Sequence, residues 1–344
     1  MIKIGLNGFG RVGRVLTRLI SSQKNMKLVA INEIDTDVSN LAYLLKYDSI
    51  YGKFKGKVTS ANGYIFINGK KIKTFSKKKI QNVPWKNLKI DVLVDATGVG
   101  RNVVVAKKIA KKGVAKVIIT HSPDKNIDFT MIMGVNEKQY NPKKHHVVSS
   151  SICDASALGP LIFEIEKKWK IENGFITTLH SRLPYQNLLD GSLKSVSSPG
   201  HSWKDYSLGR NSMASLIPKK TTAVKAVTKC IPNLRGKLSG ISFRVPTSIV
   251  CGSDLTLQVK NNVSLEQIKN LFKNLSKKKS KIYEYQEEAL VSIDHLGTSK
   301  SLIIDSNYIE VLNSKLIKMV IWYDNEWGYS NRVIDIINFV KNKK

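Results

Sequence analysis

Long apolar runs are missing from this 344-residue chain. Its uninterrupted stretches end after four or five residues, as at Val103 to Ala106, whereas a membrane-spanning helix needs about 20. No bilayer span is expected. Cysteine is scarce: Cys153, Cys230 and Cys251 are odd in number and form no CxxC pair, which suits a reducing, cytoplasmic compartment better than a disulfide framework or a zinc site. Met1 leads straight into the strand-like Ile2-Lys3-Ile4-Gly5 without a charged leader, so export is not expected. Acidic residues are few, 26 against 56 basic ones, and only nine of the basic residues are arginine. The resulting charge of +30 suits a polyanion. Bidentate reading of guanine or phosphate, however, is mainly the work of arginine, and the lysines are dispersed. A solvated surface is the simpler reading, and nucleic acid is not expected as the primary partner.

What is present is enough for a core. Apolar residues make up 42% and charged residues 24%, and a prior of about 150 residues per domain suggests two domains. Ile2 to Leu6 reads as a strand. Arg11 to Ser22 carries Val12, Val15, Leu16, Leu19 and Ile20 at helical spacing, and Lys27 to Ile31 is a second strand. The alternation continues through a helix over Asp37 to Leu45, a meander with turns at Asn62-Gly63 and Asn68-Gly69, a strand at Asp91 to Asp95, a helix at Asn102 to Lys112 and a strand at Ala115 to Thr120. This predicts an α/β, Rossmann-type domain over 1–150. Phe175 to His180, Ser239 to Val245 and Asp254 to Val259 are β-type runs of a different character, predicting an α+β domain over 151–324 with a largely antiparallel sheet. An amphipathic helix closes the chain within 325–344. The Ser/Gly/Pro-rich stretch from Ser181 to Arg210 is too long for a plain connector and reads as a site loop.

Gly8-Phe9-Gly10-Arg11-Val12-Gly13 is a GxGxxG motif between a strand and a helix, where glycines allow a tight turn and the helix N-terminus faces a pyrophosphate. Glu33, 20 residues after Gly13, suits the hydroxyls of an adenosine ribose and opposes a 2′-phosphate, so NAD is preferred over NADP. Cys153 lies between a strand at 146–148 and a helical run beginning near Ala155. A helix N-terminus there is expected to lower the thiol pKa and make thiolate available at neutral pH. Taken alone, Cys153 reads more readily as a buried core thiol, and His180, at a strand end, as a base or a sheet-edge cap.

Further segments are Asn7-Gly-Phe-Gly-Arg-Val-Gly-Arg14, Ala96-Thr-Gly98, Met133-Gly-Val-Asn136, Thr177-Thr-Leu-His180, Phe243-Arg-Val-Pro-Thr247 and Trp322-Tyr-Asp-Asn-Glu-Trp-Gly-Tyr-Ser-Asn331. In this order they resemble the phosphorylating glyceraldehyde-3-phosphate dehydrogenase family over essentially the whole chain. The resemblance implies Cys153 as nucleophile and His180 as its base. It implies Asn7, Gly8, Gly10, Arg11, Val12, Gly13, Glu33, Thr97, Gly98, Thr120, Asn325 and Tyr329 as the NAD site, with Asn325 orienting the nicotinamide carboxamide. Arg244 and Thr221 fall on the substrate side. The resemblance also implies a homotetramer, with the loop after His180 between subunits, and a C-terminal helix packed on the first domain.

The departures concern phosphate. The family's Ser-Cys-Thr-Thr-Asn-Cys is here Ile152-Cys-Asp-Ala-Ser-Ala157, which removes hydroxyls and places Asp154 beside the thiol, and Thr222 replaces the usual glycine. Asp154 and Arg210 are therefore added to the substrate-side candidates, with Arg182, Arg210 and Lys220 as compensating cations. The implied reaction is NAD-dependent oxidation of a small phosphorylated aldehyde, by default glyceraldehyde 3-phosphate, through a thioester released by inorganic phosphate. The alternative is erythrose 4-phosphate or another aldehyde, with water as acyl acceptor; features of the erythrose-4-phosphate dehydrogenase branch accompany it. No metal is expected.

Overall fold

The protein is described from a computed structural model over residues 1–35, 37–192 and 205–343. Part of the predicted site loop, 193–204, lies outside the described residues. The chain forms two compact units, Met1–Ile152 with Ser330–Lys344, and Cys153–Tyr329.

The first unit begins with Ile2–Asn7 (β1), Arg11–Ser22 (α1) and Met26–Asn32 (β2), followed by Val38–Lys46 (α2), whose N-terminal amides are capped by Asp37. Val58–Ala61 (β3), Tyr64–Ile67 (β4) and Lys70–Phe75 (β5) form the meander. Asn62-Gly63 and Asn68-Gly69 have positive φ at both residues, the tight-turn geometry that these side chains tolerate best. Val92–Asp95 (β6), Gly100–Lys111 (α3), Lys116–Ile119 (β7), Phe129–Thr130 (β8) and Val147–Ser149 (β9) complete a nine-stranded sheet in the order β3-β4-β5-β2-β1-β6-β7-β9-β8. From β5 to β8 every neighbour is parallel. All residues of β6 and β7 are buried, as expected for strands covered on both faces. The chain's last helix reaches this unit through Asn338, which accepts from the Asn25 amide at 2.8 Å, and through Lys341, paired with Asp91 at 2.8 Å.

The second unit opens with Cys153–Trp169 (α4) and Ile171–Ser181 (β10). Ile217–Lys220 (β11), Ala223–Cys230 (α5), Leu238–Val245 (β12), Cys251–Val259 (β13), Leu265–Lys278 (α6), Tyr283–Gln286 (β14), Leu302–Leu312 (β15) and Leu316–Tyr323 (β16) follow, and Trp327–Asn342 (α7) crosses back to the first unit. Ser264 and Gln267 close a reciprocal cap at the start of α6. The seven-stranded sheet runs β11-β12-β10-β13-β16-β15-β14. Its β10–β12 and β14–β15 neighbours are parallel and the other four pairings antiparallel. The sheet is largely antiparallel, as expected, with two parallel pairings: β10 and β12 share a direction because β11 and α5 lie between them in the chain and supply the crossover. No helix of the described residues is long and apolar enough to cross a membrane.

Candidate active site

In the first unit the glycine loop joins β1 to α1. Gly8 has φ +94°, and a Cβ there would lie 2.8 Å from the Thr97 side chain; a Cβ on Gly13 would lie 2.2 Å from the Gly8 carbonyl oxygen. Neither position accepts a side chain. Gly10, the N-cap of α1, has nothing within 4 Å of such a Cβ. Open space in front of a helix start, next to Arg11 and Val12 of the first turn, fits a pyrophosphate seat. The prediction that separates these roles is that Gly13→Ala destabilises the unit by about 1–3 kcal/mol through overpacking. Gly10→Ala weakens NAD binding while costing less than about 1 kcal/mol. Melting curves and NAD titrations of both variants check it.

Glu33 follows β2, and its carboxylate accepts the Phe9 amide at 2.6 Å and the Ile34 amide at 2.7 Å. It thus fixes the glycine loop as well as offering its remaining lone pairs outward. Beneath the loop lies a buried polar network that the sequence reading missed. Asp95, at the end of β6, accepts from the Asn7 amide at 2.9 Å and the Thr97 hydroxyl at 2.8 Å, while Asn7 in turn accepts from Asn32 at 2.7 Å. Burial raises the Asp95 pKa against these donors. Thr97 also accepts the Val99 amide at 3.1 Å across Gly98, whose φ is +69°. Thr120 donates to the Asp95 carbonyl oxygen at 3.1 Å. Asn7, Thr97, Gly98 and Thr120 are thus drawn together at the C-terminal ends of parallel strands, the usual ligand edge of such a sheet. Asp95 was legible only as the residue preceding Ala96-Thr-Gly98.

In the second unit Cys153 is the first residue of α4, and Ser151 just before it holds the left-handed backbone, φ +62°. Cys153 Sγ lies 3.6 Å from His180 Nε2. The other ring nitrogen, Nδ1, lies 2.7 Å from the Ser181 carbonyl oxygen, which can only accept. Nδ1 therefore carries the proton and Nε2 presents its lone pair to the thiol.

Asp154 Oδ1 is 3.6 Å from the same sulfur, 3.7 Å from Nε2, and accepts the Tyr323 hydroxyl at 2.8 Å. The expectation of a thiolate primed by the helix start is corrected here. Burial, and then the Asp154 charge, push the Cys153 thiol well above its ordinary range, against the pull of the helix start. Burial, and then Arg244, pull His180 down to about 4. The resting pair is a neutral thiol facing a neutral imidazole, and the sulfur is activated as its proton leaves.

Arg244 is the register partner of His180 across the β10–β12 pair. It is 8% exposed, hydrogen-bonds Tyr185, and keeps Nε and one terminal nitrogen without a protein acceptor. Such a buried guanidinium calls for an anion. Beside it Lys219 is pulled down by burial and then by Arg244. The sequence reading named Lys220, one residue too far, and Lys220 faces solvent; on a strand a single step changes the face. Arg210 is also corrected: it pairs with Asp190 at 3.0 Å, both well exposed, rather than with the thiol's neighbours. Arg182 donates to Ser248 at 3.1 Å. The Thr221 hydroxyl accepts the Ala223 amide at 3.0 Å at the start of α5. Asn325 is buried and accepts the Ser181 hydroxyl at 3.2 Å, and Tyr329 is buried close after it in sequence.

Tyr323 and Cys251 were also missed. Alternation along β16 buries Tyr323, a signal that was readable. The Cys251 sulfur, by contrast, accepts the Ser181 amide at 3.4 Å through a pairing that no local pattern announces.

The chain also matches known proteins over its whole length. Residues 2–103 match the glyceraldehyde 3-phosphate dehydrogenase NAD binding domain, and residues 152–325 match the glyceraldehyde 3-phosphate dehydrogenase C-terminal domain. Glyceraldehyde-3-phosphate dehydrogenase 1 of Kluyveromyces marxianus is 40% identical over 99% of this chain and 100% of its own length. The Saccharomyces cerevisiae protein of the same name is 40% identical over 99% of both chains. A cytosolic glyceraldehyde-3-phosphate dehydrogenase of Gracilaria gracilis is 39% identical over 98% of both. With both domains matched and whole-length relatives at this identity, the chain belongs to the glyceraldehyde-3-phosphate dehydrogenase family.

Proposed function

We propose that the chain oxidises glyceraldehyde 3-phosphate with NAD and inorganic phosphate, and that Cys153 and His180 carry the reaction. The observation that carries this reading is the 3.6 Å approach of Sγ to an imidazole nitrogen whose tautomer is set by the Ser181 carbonyl. Sγ bonds to the aldehyde carbon while its proton passes to Nε2, leaving a hemithioacetal oxyanion. NAD, held by the glycine loop and Glu33, supplies when bound the acceptor for the hydride that leaves this carbon as it becomes a thioester carbonyl. His180 keeps the proton meanwhile. Phosphate oxygen then attacks the thioester, the carbon–sulfur bond breaks, and the departing sulfur recovers its proton from Nε2. The unpartnered N–H groups of Arg244, with Lys219 beside it, favour an anionic aldehyde.

The test is NADH formation from glyceraldehyde 3-phosphate, erythrose 4-phosphate and unphosphorylated glyceraldehyde, with and without inorganic phosphate. Preference for the first and dependence on phosphate are expected. Turnover that ignores phosphate, or a preference for the uncharged aldehyde, overturns the reading. Arg244→Ala is expected to raise KM for the phosphorylated aldehyde about 10- to 100-fold, the worth of a charged hydrogen bond.

A homotetramer in the cytoplasm completes the proposal. Phe175, Leu179 and Ile241 are 70%, 42% and 38% exposed on one face of β10 and β12, and such an apolar patch suits a subunit contact. All three cysteines are free thiols, as a reducing compartment keeps them. Sedimentation at micromolar concentration is expected to give a tetramer that Phe175→Glu dissociates, whereas a monomeric parent chain rules the assembly out.

A further inference from the structure

Cys153, Asp154 and His180 bring three different ligand atoms together, and the triangle they form has definite dimensions. Sγ to Nε2 is 3.6 Å, Sγ to Oδ1 is 3.6 Å and Nε2 to Oδ1 is 3.7 Å. Zinc bonds of about 2.3 Å to sulfur, 2.0–2.1 Å to imidazole nitrogen and 2.0–2.2 Å to carboxylate oxygen, set at tetrahedral angles, give ligand-to-ligand edges of roughly 3.4–3.6 Å. One ion therefore reaches all three atoms with only a few tenths of an ångström of movement.

The surroundings support the same set. The Ser181 carbonyl holds the Nδ1 proton, so Nε2 is already the bare nitrogen that a metal needs, and the Tyr323 hydroxyl holds the carboxylate oxygen at 2.8 Å. Fixing a ligand's tautomer and orientation from outside is how protein metal sites are tuned. Cys153 is half-buried while Asp154 and His180 are buried, so an ion approaches the three atoms from the Cys153 side. The Arg244 charge opposes a bare cation here, but thiolate and carboxylate together cancel the two charges of the ion.

We propose that Cys153, Asp154 and His180 form a binding site for a thiophilic divalent cation, zinc by the chemistry of the donor set, with water as fourth ligand. A sulfur ligand binds as thiolate, so uptake of the ion displaces the thiol proton. The ion occupies both the sulfur and the lone pair that would take its proton, so the metal-bound chain is a closed state of the dehydrogenase. Asp154 is the residue that turns a two-atom pair into a three-ligand site. The site depends on these three atoms and not on which aldehyde is oxidised.

The experiment uses the full chain, freed of metal by chelator, without NAD or aldehyde, and titrated with Zn²⁺ and with Co²⁺. One ion per chain is expected, with Co²⁺ giving a thiolate charge-transfer band and the intense visible bands of tetrahedral cobalt. Asp154→Asn is expected to weaken binding about 100-fold and Tyr323→Phe about 10-fold, the range for ligand and outer-shell losses. Cys153→Ser should abolish the charge-transfer band, while Cys230→Ser leaves it. An octahedral cobalt spectrum, or equal affinity in parent and Asp154→Asn, overturns the site. Should Asp154→Asn fail to fold, the parent decides: Zn²⁺ must protect Cys153 from alkylation and chelator must restore it, and absence of protection overturns the proposal. Because the readout is metal binding, its failure leaves NADH formation untouched as a separate question.

Discussion

Cys153→Ala is expected to lower kcat for NADH formation by roughly 10⁴-fold or more while leaving the chain folded. Loss of a nucleophile removes the covalent route altogether, and effects of this size are measured when one is deleted. Cys153 is half-buried at the first position of α4 and only one sulfur atom is removed, so the melting temperature should move little. Steady-state kinetics beside a melting curve checks both halves. An alanine variant within about tenfold of the parent would take the thiol out of the mechanism.

His180→Asn is expected to cost about 10²- to 10⁴-fold in kcat, the usual worth of a positioned base, and it carries a second signature in acid. The imidazole is 2% exposed and burial holds it at about 4, against about 6.5 in an unfolded chain. Between these values the unfolded state binds a proton that the folded state refuses. Stability is therefore fully present above about pH 6.5 and is lost progressively as pH falls toward 4, by on the order of 3 kcal/mol. His145 and His295, also lowered chiefly by burial, act in the same direction. Urea midpoints from pH 7 to pH 4 should fall steeply for the parent and less steeply for His180→Asn. Parallel profiles would mean that the ring is already charged in the folded chain.

Much of this was legible in the sequence because the signals were local. Apolar spacing at Arg11–Ser22, the Asn-Gly turns and the glycine motif each depend on residues within one turn or one strand, and the elements appear there. The pairing of thiol and imidazole was readable for a different reason. Cys153 and His180 are 27 residues apart, and only the family resemblance, not periodicity, could pair them. What escaped was decided by distant partners. The direction of β12 relative to β10 depends on the crossover between them, and burial and then the Asp154 charge raise the Cys153 thiol. Lys219 was mistaken for Lys220 because a strand's face is set by its register with β12, where Lys219 meets Ser242. Tyr323 meets Asp154 across 169 residues, a distance that no pattern window spans.

The side-by-side run of β10 and β12 works as a ruler. Eight consecutive pairs from Gly174–Leu238 to Ser181–Val245 are matched without a slip, and the seventh sets imidazole beside guanidinium. Adding or deleting one residue inside either strand would turn one of those two groups to the opposite side of the sheet. Residues inserted after Ser181, where the chain has left the sheet, disturb no graduation of that scale. Length can therefore be added to the loop beyond His180 while the spacing between imidazole and guanidinium stays unchanged.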